Sequence, residues 1–254
     1  ALAVLVAASS PAAQAQILIG QTSGFSGPVA AGVKETTAGA MLYLDRVNAK
    51  GGVGGQKIEI VTMDDKFEPP LAAENARELI EKKNVVALFL NRGTPHTEAI
   101  LPLLEKHRVP LVAPSTGAMV LHQPVKKYVF NVRATYQREA EKALVHQASI
   151  GMTKIAVIYA DDSFGEDGLA GAQKGLQKAK LEAVGIHKFN RTKPDFSAIV
   201  PEVVKSGAQS VLLVASGSHA VAAIKALRAA GSTAQFVTLS NNATTGFVAS
   251  LEGN

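Results

Sequence analysis

The chain has no cysteine and no tryptophan among its 254 residues. Without cysteine there is no disulfide framework, no thiolate metal site and no thiol nucleophile. Aromatic residues make up 5%, too thin a supply for a base-stacking platform. Lysine and arginine number 26 against 21 aspartates and glutamates, but they are scattered, and the adjacent pairs are Lys82-Lys83 and Lys126-Lys127. Nucleic-acid binding calls for a clustered basic face, so that class is set aside. After residue 16 no apolar run reaches the ~20 residues of a membrane-spanning helix. What remains is an ordinary globular composition, 47% hydrophobic and 19% charged, long enough for one large or two medium domains.

The N-terminus is the most telling stretch. Residues 1–15, ALAVLVAASSPAAQA, read as the remnant of a secretory signal peptide. An apolar run over 1–8 leads to Pro11, and the small residues Ala13 and Ala15 suit a signal peptidase pocket. Cleavage is expected near Ala15/Gln16. Export without cysteine fits a bacterial periplasm.

From Gln16 onward short apolar runs alternate with longer amphipathic ones. Strands are predicted at 17–21, 57–63, 85–90 and 109–114, with helices at 29–49, 71–83 and 95–107 between them. After 128–134 the pattern restarts. Helices are predicted at 136–150, 165–181, 198–206 and 220–230, and strands at 153–160, 184–190, 209–215 and 235–240. The fold class expected is α/β, with two doubly wound parallel-sheet lobes around a central cleft. The expected boundaries are 16–134 for the N-terminal lobe and 135–240 for the second, with 241–254 starting a return to the first. A hinge is expected near residues 132–134.

In open parallel sheets, ligands bind beyond the carboxyl ends of the strands. That rule selects the loops at 22–28, 91–95, 114–118, 161–168, 216–219 and 240–246. They are rich in Gly, Ser, Thr and Asn, which offer hydroxyls and backbone N–H groups suited to a compact anion. Taken one at a time, each loop also reads as ordinary caps and turns. Gly51-Gly52-Val53-Gly54-Gly55 follows a helix and precedes a strand, the wrong context for a dinucleotide loop. No phosphate-binding GxxxxGK[ST] and no GxSxG elbow occurs. His96 reads as a surface residue, Asp64 and Asp65 as turn caps. Asp161 and Asp162 stand open between turn caps and acid–base or metal roles. No catalytic residue, metal site or cofactor is expected.

At these residues the chain resembles the leucine/isoleucine/valine-binding branch of the type I periplasmic binding proteins, the solute receptors of ABC importers. The matching segments are 26–30, NAKGGVGGQKIEIVTMDD at 48–65, PLVAPSTG at 110–117, YADDSFGEDG at 159–168, KPDFSAIV at 193–200 and LRAAG at 227–231. The resemblance implies that Thr94, Ser115, Thr116 and Gly117 hold the ligand's carboxylate and amino group. It implies that Phe164 covers the ligand and that Ser216 joins it. A position often aromatic in the family falls at Gly32. Where the family often places an acidic residue for the ammonium, this chain reads Ser240-Asn241-Asn242. Either Asp162 replaces that charge or the ligand is no α-amino acid. The resemblance also implies a longer chain that returns to the first lobe.

The function so implied is a periplasmic receptor, a monomer, that delivers a branched-chain or related apolar amino acid to the membrane permease of an ABC importer. The alternatives are an exported ligand-sensing domain of the same fold and a receptor for a small aromatic or aliphatic carboxylate. A flavodoxin-like enzyme is a poorer fit, because 22–28 makes an unsuitable phosphate loop.

Overall fold

The computed structural model describes residues 16–252, so the expected signal segment lies outside the described residues. The chain forms β1 (Ile17–Ser23), α1 (Ala30–Ala49), β2 (Ile58–Asp64), α2 (Pro69–Glu81), β3 (Ala87–Phe89), α3 (Thr94–His107), β4 (Leu111–Val112) and β5 (Val129–Phe130). These five strands pair in parallel in the order β2-β1-β3-β4-β5. Then come α4 (Tyr136–Ser149), β6 (Ile155–Ala160), α5 (Ser163–Ala179), β7 (Gly185–Phe189), α6 (Ile199–Lys205), β8 (Ser210–Val214), α7 (Ser218–Ala229), β9 (Gln235–Thr238) and α8 (Thr245–Ala249). The second sheet is also parallel, in the order β7-β6-β8-β9. The chain passes from one sheet to the other between Phe130 and Tyr136.

Register fixes where the strand ends fall. β1 runs beside β2 from Ile17↔Ile58 to Ser23↔Asp64, and β6 beside β8 from Ile155↔Ser210 to Tyr159↔Val214. Every residue of β6 and β8 is buried, as central strands covered on both faces require. β3, β4 and β5 are shorter than their apolar runs suggest. Leu90 and Ala113 leave the extended region at φ 52° and 53°, which turns the chain from strand to loop early.

Two cores support these sheets. Ala76, Leu79, Leu88, Ile100, Leu104 and Leu111 join α2 and α3 to the first sheet. Leu144, Ile158, Leu176, Leu212, Val214 and Leu227 belong to the larger core of the second. In that core α5 lies unusually close to its neighbours through Gly165, Gly168, Gly171 and Gly175. A methyl at Gly171 would overlap the Gln137 carbonyl of α4, and one at Gly165 the Ala160 carbonyl of β6.

Two glycine substitutions separate close packing from helix propensity. Gly39 in α1 has nothing within 4 Å of a new Cβ, so Gly39→Ala is expected to stabilise by up to about 1 kcal/mol. Gly171→Ala must push α5 off α4 and is expected to destabilise by about 1–3 kcal/mol. Urea unfolding of the two variants checks this. A stabilised Gly171→Ala would contradict the packing described.

Candidate functional site

The loops after β3, β4, β6 and β8 converge between the two sheets. The enclosed space there is about 10 Å3, and its walls include Arg92, Thr94, Ser115, Tyr136, Phe164 and Ser216. That is room for about one water, so the two walls stand almost in contact. Direct bonds join them. Glu98 accepts a hydrogen bond from Ser163, the Met119 amide donates to Asp167 Oδ1 at 3.1 Å, and the Ser218 amide donates to the Pro28 carbonyl at 3.0 Å.

On the first-sheet side, α3 opens at the cleft. Thr94 stands in its first turn, and its hydroxyl lies 2.7 Å from that of Thr116. Both are buried. Ser115 is half-buried and lines the space. Thr116 stands behind Thr94, and Gly117 is packed against Ala134 and Tyr136, so neither faces the enclosed space.

On the other side Asp162 caps α5, its Oδ1 accepting from the Phe164 and Gly165 amides at 2.9 and 3.1 Å. Its Oδ2 meets Arg191 Nε at 2.6 Å. The carboxylate expected to await an ammonium is therefore already neutralised by a helix N-terminus and a guanidinium. Asp161 accepts from Asn190 and from the Arg191 amide, which makes it the turn cap that was one of its two readings. Phe164 lines the space and also belongs to the second core, where its ring meets that of Tyr136 edge-on at 5.1 Å. Ser216 accepts from Asn241 at 2.9 Å. Ser240 is exposed and lies outside the enclosed space, bonded to Glu139 and Arg133.

Several wall residues escaped the sequence reading. Arg92 is only 6% exposed, and its Nη2 donates to the Asn241 carbonyl at 2.8 Å. Among the described residues no carboxylate pairs with it. Gly32 explains how it fits, since a Cβ there would lie 3.0 Å from Arg92 Nη1. Phe67 carries Arg191 over one face at 5.0 Å and stacks with His96 at 4.3 Å. His96 thus departs from its surface reading. It is fully buried, with neither ring nitrogen hydrogen-bonded among the described residues. Asp64 and Asp65 do cap turns, accepting from the Ser26, Lys66 and Phe67 amides. Among the described residues no group of three or more His, Asp or Glu is placed to hold a metal ion, and no helix is long and apolar enough to cross a membrane.

Residues 16–254 match the family described as Periplasmic binding protein, and the chain belongs to that family. It is 28% identical over 230 residues to Leu/Ile/Val-binding protein homolog 7 of Brucella suis, a match covering 87% of this chain and 57% of that protein. It is 27% identical over 230 residues to an amino acid binding protein of Pseudomonas aeruginosa, covering 89% and 60%. A substrate-binding periplasmic protein from Ralstonia solanacearum superposes with a TM-score of 0.83 at 30% identity, covering 89% of this chain and 64% of that one. The chain therefore spans less than two-thirds of the length of these relatives. The family resemblance and the two-sheet parallel α/β class read from the sequence both hold.

Two buried groups beside the cleft titrate in opposite senses. Burial pushes His96 from 6.5 down to about 3 and Asp65 from 3.8 up to about 6. For His96 the unfolded chain takes up a proton that the folded chain refuses, so stability falls as pH drops from about 6.5 toward about 3. For Asp65 the folded chain protonates first, and stability rises as pH falls from about 6 to about 3.8. His96→Phe keeps the stack on Phe67 and removes only the first effect. Its stability relative to wild type is expected to grow by up to about 1.4 kcal/mol per pH unit below 6.5, read by urea unfolding at several pH values. Parallel pH profiles for the two proteins would contradict this.

Proposed function

We propose that this chain acts as a periplasmic solute receptor that captures a small carboxylate between its two sheets for the permease of an ABC importer. The observation that carries the reading is the set of groups turned into one space. Thr94 and Ser115 offer hydroxyls and Arg92 offers a guanidinium, while Asp162, beside Phe164, is already paired with Arg191. Such a set favours an anion. Thr116 serves as the partner that orients Thr94, Phe164 and Tyr136 as apolar cover, and Ser216 as a polar contact from the far wall. The names of the relatives make leucine, isoleucine and valine the first ligands to try. Residues 16–134 and 135–240 act as the two lobes, with 132–134 as hinge and 241–254 leading back to the first. Ligand binding closes the lobes, and the closed surface is what the permease recognises. Residues 1–15 direct export. An exported sensing domain would use the same site, and finding permease and ATPase genes beside this one would decide for transport.

A second reading is favoured by one contact. The 2.6 Å pair of Asp162 with Arg191 leaves an ammonium without a free carboxylate in this wall. A small aromatic or aliphatic acid lacking the amino group meets the site without that difficulty.

A thermal-shift screen separates the two, because a ligand at a hundred times its dissociation constant stabilises by about 2.7 kcal/mol. Stabilisation by leucine, isoleucine or valine supports the first reading. A response confined to acids without an amino group supports the second. A response only to sugars rejects both. For the ligand found, Thr94→Ala and Ser115→Ala are each expected to weaken binding roughly tenfold, as loss of a hydrogen bond to a charged group implies. Calorimetry showing unchanged affinity in both would reject the placement.

A further inference from the structure

Beside the narrow cleft lies a larger chamber of about 370 Å3, inside the range of small-molecule pockets. It sits between the start of α1, the start of α7 and α8. Pro28, Val29, Ala31, Val221 and Phe247 supply an apolar lining, and Arg92 lines both this chamber and the narrow cleft. A guanidinium has five donors, and among the described residues Arg92 makes one hydrogen bond, to the Asn241 carbonyl. A charge this deeply buried is costly unless it is paired. Arg133 approaches its own carboxylate, Glu139, at 3.5 Å, and Arg191 approaches Asp162 at 2.6 Å. Arg92 is the arginine of this region left without one among the described residues. Gly32 keeps the wall beside it free of a side chain.

We infer that Arg92 is the carboxylate anchor of this site and that the chamber beside it receives the ligand's apolar tail, so that the site selects monocarboxylates and requires no ammonium. This rests on the small-carboxylate reading above and deepens it. The carboxylate meets the free donors of Arg92, with Thr94 and Ser115 beside it. The tail runs past Gly32 between Val29 and Val221 toward Phe247. The acid group, not the amino group, then carries recognition.

The test is calorimetric titration of the purified chain with butyrate, hexanoate and phenylacetate, with hexanamide and phenylacetamide as uncharged matches. Wild type is expected to bind each acid at least tenfold more tightly than its amide. Arg92→Gln should erase that preference and Arg92→Lys should retain part of it. Val221→Phe, which fills the chamber without touching the charge, should weaken phenylacetate more than butyrate. Circular dichroism confirms that each variant is folded, and the Val221→Phe arm remains decisive if Arg92→Gln does not fold. Acid binding that survives Arg92→Gln overturns the inference and leaves the carboxylate reading standing. So does a Val221→Phe protein that binds every acid as wild type does. Binding of leucine with no binding of hexanoate or phenylacetate overturns it in favour of an amino acid. No binding of leucine or of any acid overturns both readings.

Discussion

Arg92 carries its guanidinium into the space between two parallel sheets, where one carbonyl oxygen is its only hydrogen-bond partner among the described residues. Removing a cation from water is costly, and the cost is met only by close, well-directed partners. Much of the surrounding architecture is arranged around this group. Gly32 gives it room, the Asn241 carbonyl fixes its direction, and Tyr136 and Thr94 line the narrow space with it. Arg133 and Arg191 stand nearby with carboxylates of their own. Arg92 is the guanidinium here without a carboxylate among the described residues, and an anion entering beside it completes interactions that the protein leaves open.

The contacts between the two walls are of a different kind from those within them. Inside each sheet unit, leucine, isoleucine and valine are packed to near-zero exposure. Between the units the bonds are polar, Glu98 with Ser163, the Met119 amide with Asp167, the Pro28 carbonyl with Ser218, and Phe67 beneath Arg191. A hydrogen bond lost to water costs only about 0.5–1.5 kcal/mol net, whereas reopening an apolar core exposes area at about 25 cal/mol per Å2. The units are rigid within themselves and more cheaply parted from each other. A ligand that touches both walls favours the closed arrangement by its differential affinity for it.

The sequence made the elements legible because parallel strands buried on both faces are continuous apolar runs. IAVIYA at 155–160 and SVLLV at 210–214 sit where that pattern puts them. Gly51-Gly52 follows the end of α1, and Pro69-Pro70 opens α2. The site was legible by edge and not by residue. The strand-end rule selected the loops, and the family resemblance singled out in them Thr94, Ser115, Phe164 and Ser216, which do share one wall-lined space. Arg92, in the same loop as Thr94, was not singled out, because a lone arginine in a loop has no signature until burial strips it of water. The sequence reading left Asp162 unpaired, because Arg191 lies 29 positions away and meets it only through the pairing of β6 with β7. His96 looked like a surface residue for the same reason. Its stack on Phe67 joins the turn after β2 to the start of α3, a contact no local pattern encodes.

The central claim is that this space recognises negative charge. It is tested most directly by denaturing the protein purified from its native host without added ligand and identifying the small molecules released by mass spectrometry. The account predicts a small compound bearing a carboxylate and an apolar tail, recovered in near-stoichiometric amount. Release of a neutral sugar or of an organic cation in that amount would contradict it.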